Sequence, residues 1–129
     1  MRTMRGLYAA LITLGLATLA GCGSGRTPIG ALDGPEFVEG GVIFRYYDTK
    51  ATRVYVVGDF NNWSVRSDPM TDKNADGHWT LLYTLSPGLY EYKFVVDGKW
   101  IPDPRNPNST PDGFDGVNSL IRIPKTAPQ

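Results

Sequence analysis

A tryptophan and a lysine flank an Asp-Gly dipeptide in the segment Tyr90-Glu91-Tyr92-Lys93-Phe94-Val95-Val96-Asp97-Gly98-Lys99-Trp100. Asp-Gly favours a two-residue hairpin loop, because both central residues must tolerate positive φ. With Asp97 and Gly98 as the loop, Val96 faces Lys99 and Val95 faces Trp100. Alternation along the strand then puts Tyr90, Tyr92, Phe94 and Val96 on one face and Glu91, Lys93 and Val95 on the other. The apolar set is the expected core face. Trp100 stands on the outer face opposite Val95, with Lys93 its diagonal neighbour at roughly 7–8 Å. A flat ring beside a flexible cation, both turned toward water, contributes little to a core. It offers a stacking surface with hydrogen-bond donors at its edge, which is the chemistry that holds a sugar. These residue types alone do not name the ligand.

The other two tryptophans read differently from each other. Trp79 alternates with Leu81, Tyr83 and Leu85, which assigns it to the core. Trp63 follows Asn61-Asn62, residues that accept left-handed turn geometry, and precedes the polar Ser64. A tryptophan in such a loop is either displayed to solvent or serves as a lid over one open end of the fold. Asn118 alternates against Val117, Ser119 and Ile121 and is expected to point outward.

The elements that must position these side chains are short strands. Candidates are residues 42–47, 53–58, 78–85, 89–97, 99–101 and 117–123, each bounded by Gly, Pro, Asn or Asp. Beyond the N-terminal segment no window supports a helix of useful length. Regularly spaced turns between such strands predict an all-β, immunoglobulin-like β-sandwich. At 129 residues there is room for one small domain. Residues 41–124 are expected to form it, with 125–129 as a C-terminal tail.

Met1-Arg2-Thr3-Met4-Arg5 is basic, Gly6 to Ala17 is almost uninterruptedly apolar, and Leu19-Ala20-Gly21 precedes Cys22, the one cysteine in the chain. This is the layout of a secretory signal peptide over residues 1–21, too short for a comfortable membrane span. Leu19-Ala20-Gly21-Cys22 resembles the bacterial lipobox, which implies cleavage before Cys22 and lipidation, including palmitate, on that residue. Several acyl chains on one cysteine give firm anchoring, since each buried CH₂ contributes about 0.8 kcal/mol. The implied location is the bacterial cell envelope, on the outer membrane in a Gram-negative cell. From Cys22 to about Gly40 neither helical nor strand periodicity is present, so residues 22–40 read as the lipidated cysteine and a flexible tether.

Several function classes are disfavoured. The thirteen basic and thirteen acidic side chains balance, without a basic stripe, so nucleic acid is not an expected partner. Asp72-Lys73-Asn74-Ala75-Asp76-Gly77 matches the first half of a calcium loop, but the position for its bidentate glutamate is Tyr83, on a strand. His78 has no second histidine or cysteine with which to build a zinc site. Catalysis is not expected. The acids are scattered through turns, and a glycoside-hydrolysing barrel needs roughly 250 residues. No metal or cofactor is called for.

Gly58-Asp59-Phe60-Asn61-Asn62-Trp63, Leu85-Ser86-Pro87-Gly88, the Tyr92 to Trp100 hairpin, Asp103-Pro104 and Val117-Asn118-Ser119 occur in that order. Together they resemble the glycogen-binding domain of the AMP-activated protein kinase β-subunit type (carbohydrate-binding module family 48, the isoamylase early-set). The resemblance runs from about Gly40 to Pro124. It implies that Trp63 and Trp100 stack on glucose rings, that Lys93 and Asn118 bond to hydroxyls, and that Phe114 wedges against the curved glucan. The stretch from Asn108 to Gly116 is one residue longer than the family's loop. The expected function is non-catalytic binding of α-1,4-linked glucan by a membrane-anchored lipoprotein. The alternative is an envelope scaffold or protein-interaction module of the same fold that binds no sugar.

Overall fold

The computed structural model describes residues 34–125. The segment read as a signal peptide, Cys22 and the segment read as a tether as far as residue 33 lie outside the described residues, as do residues 126–129.

Eight strands follow one another: β1 (Glu36–Val38), β2 (Gly41–Tyr47), β3 (Val54–Gly58), β4 (His78–Tyr83), β5 (Gly88–Val96), β6 (Lys99–Ile101), β7 (Ser109–Pro111) and β8 (Val117–Ile123). A single 3-10 turn, Asp59–Asn61, is the helical element among the described residues. The first sheet runs β1-β2-β4, and the second runs β3-β5-β8-β7 with β6 also paired to β5. All pairings are antiparallel. The protein is an all-β, immunoglobulin-like sandwich.

Period-two patterning builds its core. Val42 and Phe44 of β2 meet Val54 and Val56 of β3, Tyr92, Phe94 and Val96 of β5, and Ile121 of β8 between the sheets. Phe44 is fully buried and lies edge-on to Tyr92, with ring centroids 5.0 Å apart. Trp79 packs on this cluster from β4, as its alternation predicts, and its indole N–H donates to the Asp48 carbonyl. The segment after the 3-10 turn returns along the free edge of β3: Met70 N–H donates to Val54 O at 2.8 Å and Val56 N–H to Asp68 O at 3.2 Å. This covers an edge that would otherwise be open to another strand.

Two strands escape the sequence reading. β1 lies inside the segment read as tether and pairs Phe37 with Val42, so the sheet begins before residue 41. The Glu36–Arg45 ion pair reinforces that pairing. β7 pairs Thr110 with Asn118 and adds an outer strand to the second sheet. Neither three-residue segment carries enough pattern to be read on its own, whereas β6 is read from the long alternating strand that the Asp97-Gly98 turn folds it against; their partners define β1 and β7. Asp72, in the loop for which calcium was disfavoured, accepts from the backbone N–H of Asp76 and Gly77 and so closes its own loop.

A buried polar cluster ties β5 to β8 and to the loop between β6 and β7. Tyr92 donates its hydroxyl proton to Asp103 at 2.7 Å and accepts from the Asn106 side-chain amide at 2.9 Å, while Asp103 N–H donates to Ser119 Oγ at 2.8 Å. Burial raises the Asp103 carboxyl above its usual range, and burial beside Asp103 raises the Tyr92 phenol far above its own. In Tyr92→Phe the Asp103 carboxylate loses one of its two donors and keeps only the backbone N–H of Arg105. Unfolding free energy at about pH 7 is expected to fall by about 1–3 kcal/mol. Asp103 binds its proton more tightly folded than unfolded, so acidification toward the raised pKa neutralises it and shrinks the deficit. Urea titrations of both proteins at about pH 7 and about pH 4 measure this.

Candidate functional site

The outer face of the second sheet carries an open groove of about 470 Å³ whose walls include Trp63, Lys93, Trp100, Phe114 and Asn118. All five residues singled out in the sequence are brought together there. Three acids not singled out, Asp59, Glu91 and Asp112, complete the lining.

Trp100 arrives by the predicted hairpin. Asp97 and Gly98 adopt φ of 48° and 83°, and the register pairs Val96 with Lys99 and Val95 with Trp100. The Asp97 carboxylate accepts from the backbone N–H of Thr52 and Arg53, which pins the turn to the start of β3. Trp100 is 49% exposed.

Trp63 arrives by the 3-10 turn. Gly58 leaves no room for a side chain, since an added Cβ would lie 2.5 Å from Glu91 O. The chain then turns Phe60 inward onto Phe44 and Tyr83, and Trp63 outward. Asn62 and Trp63 both have left-handed φ, 54° and 56°. For a bulky residue this is unusual and costs on the order of 1–3 kcal/mol. Trp63 is held there by its N–H to Gly58 O at 3.0 Å and its indole N–H to Asp59 at 3.2 Å. The rings of Trp63 and Trp100 lie with centroids 6.4 Å apart and planes inclined by 31°. Trp63 is half-buried rather than sealed inside, and the two rings share one groove.

Two expectations are corrected. Lys93 does not stand free in water. It pairs with Asp112 at 2.6 Å, and each side chain is only 12% exposed. Asn118 lies on the groove face but is buried, with its amide donating to Glu91 at 2.8 Å. Both corrections have one cause: β7, unforeseen, pairs with β8, flanks Asn118 and carries Asp112 over Lys93. Val95, placed on the outer face as expected, is nonetheless buried. Phe114 is 89% exposed at the rim, on the turn between β7 and β8.

Asp112 organises that turn. One carboxylate oxygen accepts from the N–H of Phe114 at 2.8 Å and Gly116 at 3.0 Å, and the other accepts from Lys93. The hydrogen bond from Lys93 is the leading reason why its carboxyl lies below the usual range. Asp59 likewise joins two parts, taking the Trp63 indole on one oxygen and Glu91 N–H on the other at 2.8 Å. Glu91 was legible as a groove residue, because it alternates onto the face of Lys93. Asp59 stood inside the quoted Gly58 to Trp63 motif. Asp112 depends on the β7–β8 pairing and had no local signal.

An immunoglobulin-like sandwich with an open aromatic groove on one outer face is the build of a carbohydrate-binding module. Residues 42–129 match the family described as the glycogen recognition site of AMP-activated protein kinase, and the chain belongs to that family. It is similar to the rat 5'-AMP-activated protein kinase subunit beta-1, with 38% identity over 73 residues, 57% of this chain and 25% of that protein. The human subunit beta-2 is 36% identical over 73 residues, covering the same two shares. Protein PTST homolog 2, chloroplastic, of Arabidopsis thaliana is 36% identical over 77 residues, 60% of this chain and 14% of that protein. The matched region thus spans a quarter or less of these relatives.

The Asp112 turn yields a direct test. In Asp112→Ala the amides of Phe114 and Gly116 are expected to exchange with solvent faster, whereas Asp112→Asn keeps an acceptor for both and changes them less. The depressed pKa means the wild-type contribution is fully present above about pH 3.9 and is lost as pH falls through the lower folded value. Hydrogen exchange followed by NMR reads both effects.

Proposed function

We propose that the chain is a non-catalytic module that binds α-1,4-linked glucan (glycogen, starch or maltodextrin) in the Trp63–Trp100 groove, and that a lipid on Cys22 holds it at the bacterial cell envelope. The observation that carries the first part is the pair of neighbouring indoles, tilted by 31°, beside a lysine already held in place.

A pyranose presents C–H groups on one face and hydroxyls around its edge. The face stacks on an indole, and the edge needs donors and acceptors. Two rings at a shallow angle follow the bend of an α-1,4 chain, whereas a coplanar row suits a flat polymer. Burial of about 60 Å² of apolar surface per stack contributes about 1.5 kcal/mol. Lys93 gives one ammonium hydrogen to Asp112, which leaves two for hydroxyls. Asn118 and Glu91, bonded to each other, present a fixed amide and carboxylate beside it. Phe114 at the rim offers an apolar edge against which a curved chain wedges. Each net hydrogen bond adds about 1 kcal/mol. After the entropic cost of association the expected affinity is weak, with Kd of roughly micromolar to millimolar. Many anchored copies meeting one polymer compensate through avidity.

The family supports the sugar reading, and its AMP-activated protein kinase members give the ligand class. The anchor rests on the sequence of residues 1–22 alone.

Native gels containing amylopectin or glycogen should retard the purified protein. Trp63→Ala or Trp100→Ala should each weaken retention about tenfold or more, the effect of one lost stack. Unchanged wild-type mobility refutes the sugar reading and leaves the protein-interaction alternative. For the anchor, Cys22→Ser should abolish lipid labelling and release the protein from membranes on cell fractionation. Membrane association unaffected by that change refutes it.

A further inference from the structure

A second recess, of about 540 Å³, opens on the same outer face beside the first. Its floor is Val95, only 5% exposed although it lies on the face turned away from the other sheet. Val95 is the cross-strand partner of Trp100 on one side and of Tyr55 on the other. Trp100, Val95 and Tyr55 therefore form a row across β6, β5 and β3. Two strand spacings, roughly 10 Å, separate its ends. The loop that presents Trp63 to the first groove goes on to supply Val65 and Arg66 to the second.

We propose that this recess is a further subsite for the same α-glucan chain, with Tyr55 as its stacking ring and Arg53 and Arg66 as hydroxyl donors; the inference rests on the sugar-binding reading above. Three observations favour a chain extending from the first groove. The apolar row is continuous with Trp100, so the chain leaves one ring and meets the next without crossing a polar barrier. The floor and one wall, Val95 and Val65, are apolar, which suits the C–H face of a sugar better than it suits an isolated anion. Neither guanidinium has an ion-pair partner among the described residues, and each brings five N–H donors to the rim. The recess also holds an acceptor carboxylate, Asp97, whose backbone bonds to Thr52 and Arg53 keep it fixed at the edge.

The test is chain-length dependence, measured by calorimetry on the purified protein with a series of linear maltooligosaccharides. Affinity is expected to keep rising after the chain outgrows the Trp63–Trp100 groove. For the long members only, Tyr55→Ala should remove about tenfold of affinity and, separately, Arg66→Ala about fivefold. Arg66 is an exposed loop residue, so its variant reports on the subsite without disturbing β3. Long-chain affinity unchanged in both variants overturns the subsite while leaving the first groove intact. Inorganic phosphate bound at the two arginines, with no chain-length effect on sugar affinity, overturns it in favour of an anion site. No binding of any oligosaccharide by the wild type overturns the sugar reading itself, and the subsite with it.

Discussion

A slip of one residue in the pairing of β5 would exchange the core for the groove. Tyr92, Phe94 and Val96 fill the space between the sheets, while Glu91, Lys93 and Val95 belong to the outer face. Because side chains alternate strictly, no intermediate arrangement exists. Three constraints hold the register. The Asp97-Gly98 turn sets β6 against β5 through left-handed φ values that few other residue pairs accept. Asp97 reaches back to Thr52 and Arg53 at the start of β3. The Tyr92–Asp103 hydrogen bond locks the inner face in a site where leaving either group unpaired is costly. Core and groove are thus two sides of one strand, and what stabilises the first places the second.

Carboxylates recur as the struts of the outer face. Asp59 links the Trp63 indole to β5, Asp97 links the hairpin to β3, and Asp112 links the Phe114 turn to Lys93. Asp97 and Asp112 take backbone N–H groups from short turns, Asp59 takes that of Glu91 in β5, and each joins two segments distant in sequence. Pre-placement of this kind matters for a weak ligand. A stack and a few hydrogen bonds contribute only a few kcal/mol, so little remains if side chains must be ordered on binding. The left-handed backbone at Trp63 fits the same logic. An indole is held in a conformation that a free loop would avoid, and the surrounding hydrogen bonds hold it there.

Much of this was legible beforehand, though unevenly. Six of the eight strands, the hairpin register, the inward Trp79 and the grouping of Trp63, Lys93, Trp100, Phe114 and Asn118 all follow from alternation, turn chemistry or the ordered motifs. β1 and β7 did not. Glu36-Phe37-Val38 and Ser109-Thr110-Pro111 are too short to show a period, and proline and serine argue against a strand. With β7 went Asp112, hence the paired state of Lys93 and the burial of Asn118. Val95 lies on the face that alternation gave it and is nonetheless buried, since alternation states direction and says nothing of what covers a residue.

Direction, then, is what the amino-acid order determined unaided: which way each side chain of β5 and β6 points, where the chain reverses, and which residues share a face. Those properties follow from the two-residue repeat of an extended backbone and from the φ preferences of Asp, Asn and Gly, all of them local. Tertiary structure alone decided company: that Lys93 meets an acid, that Asn118 is shielded, that the loop bearing Trp63 also walls a second recess beside Tyr55. Such contacts join segments tens of residues apart. Their free energy depends on which neighbour the fold supplies, and no local repeat in the chain encodes that.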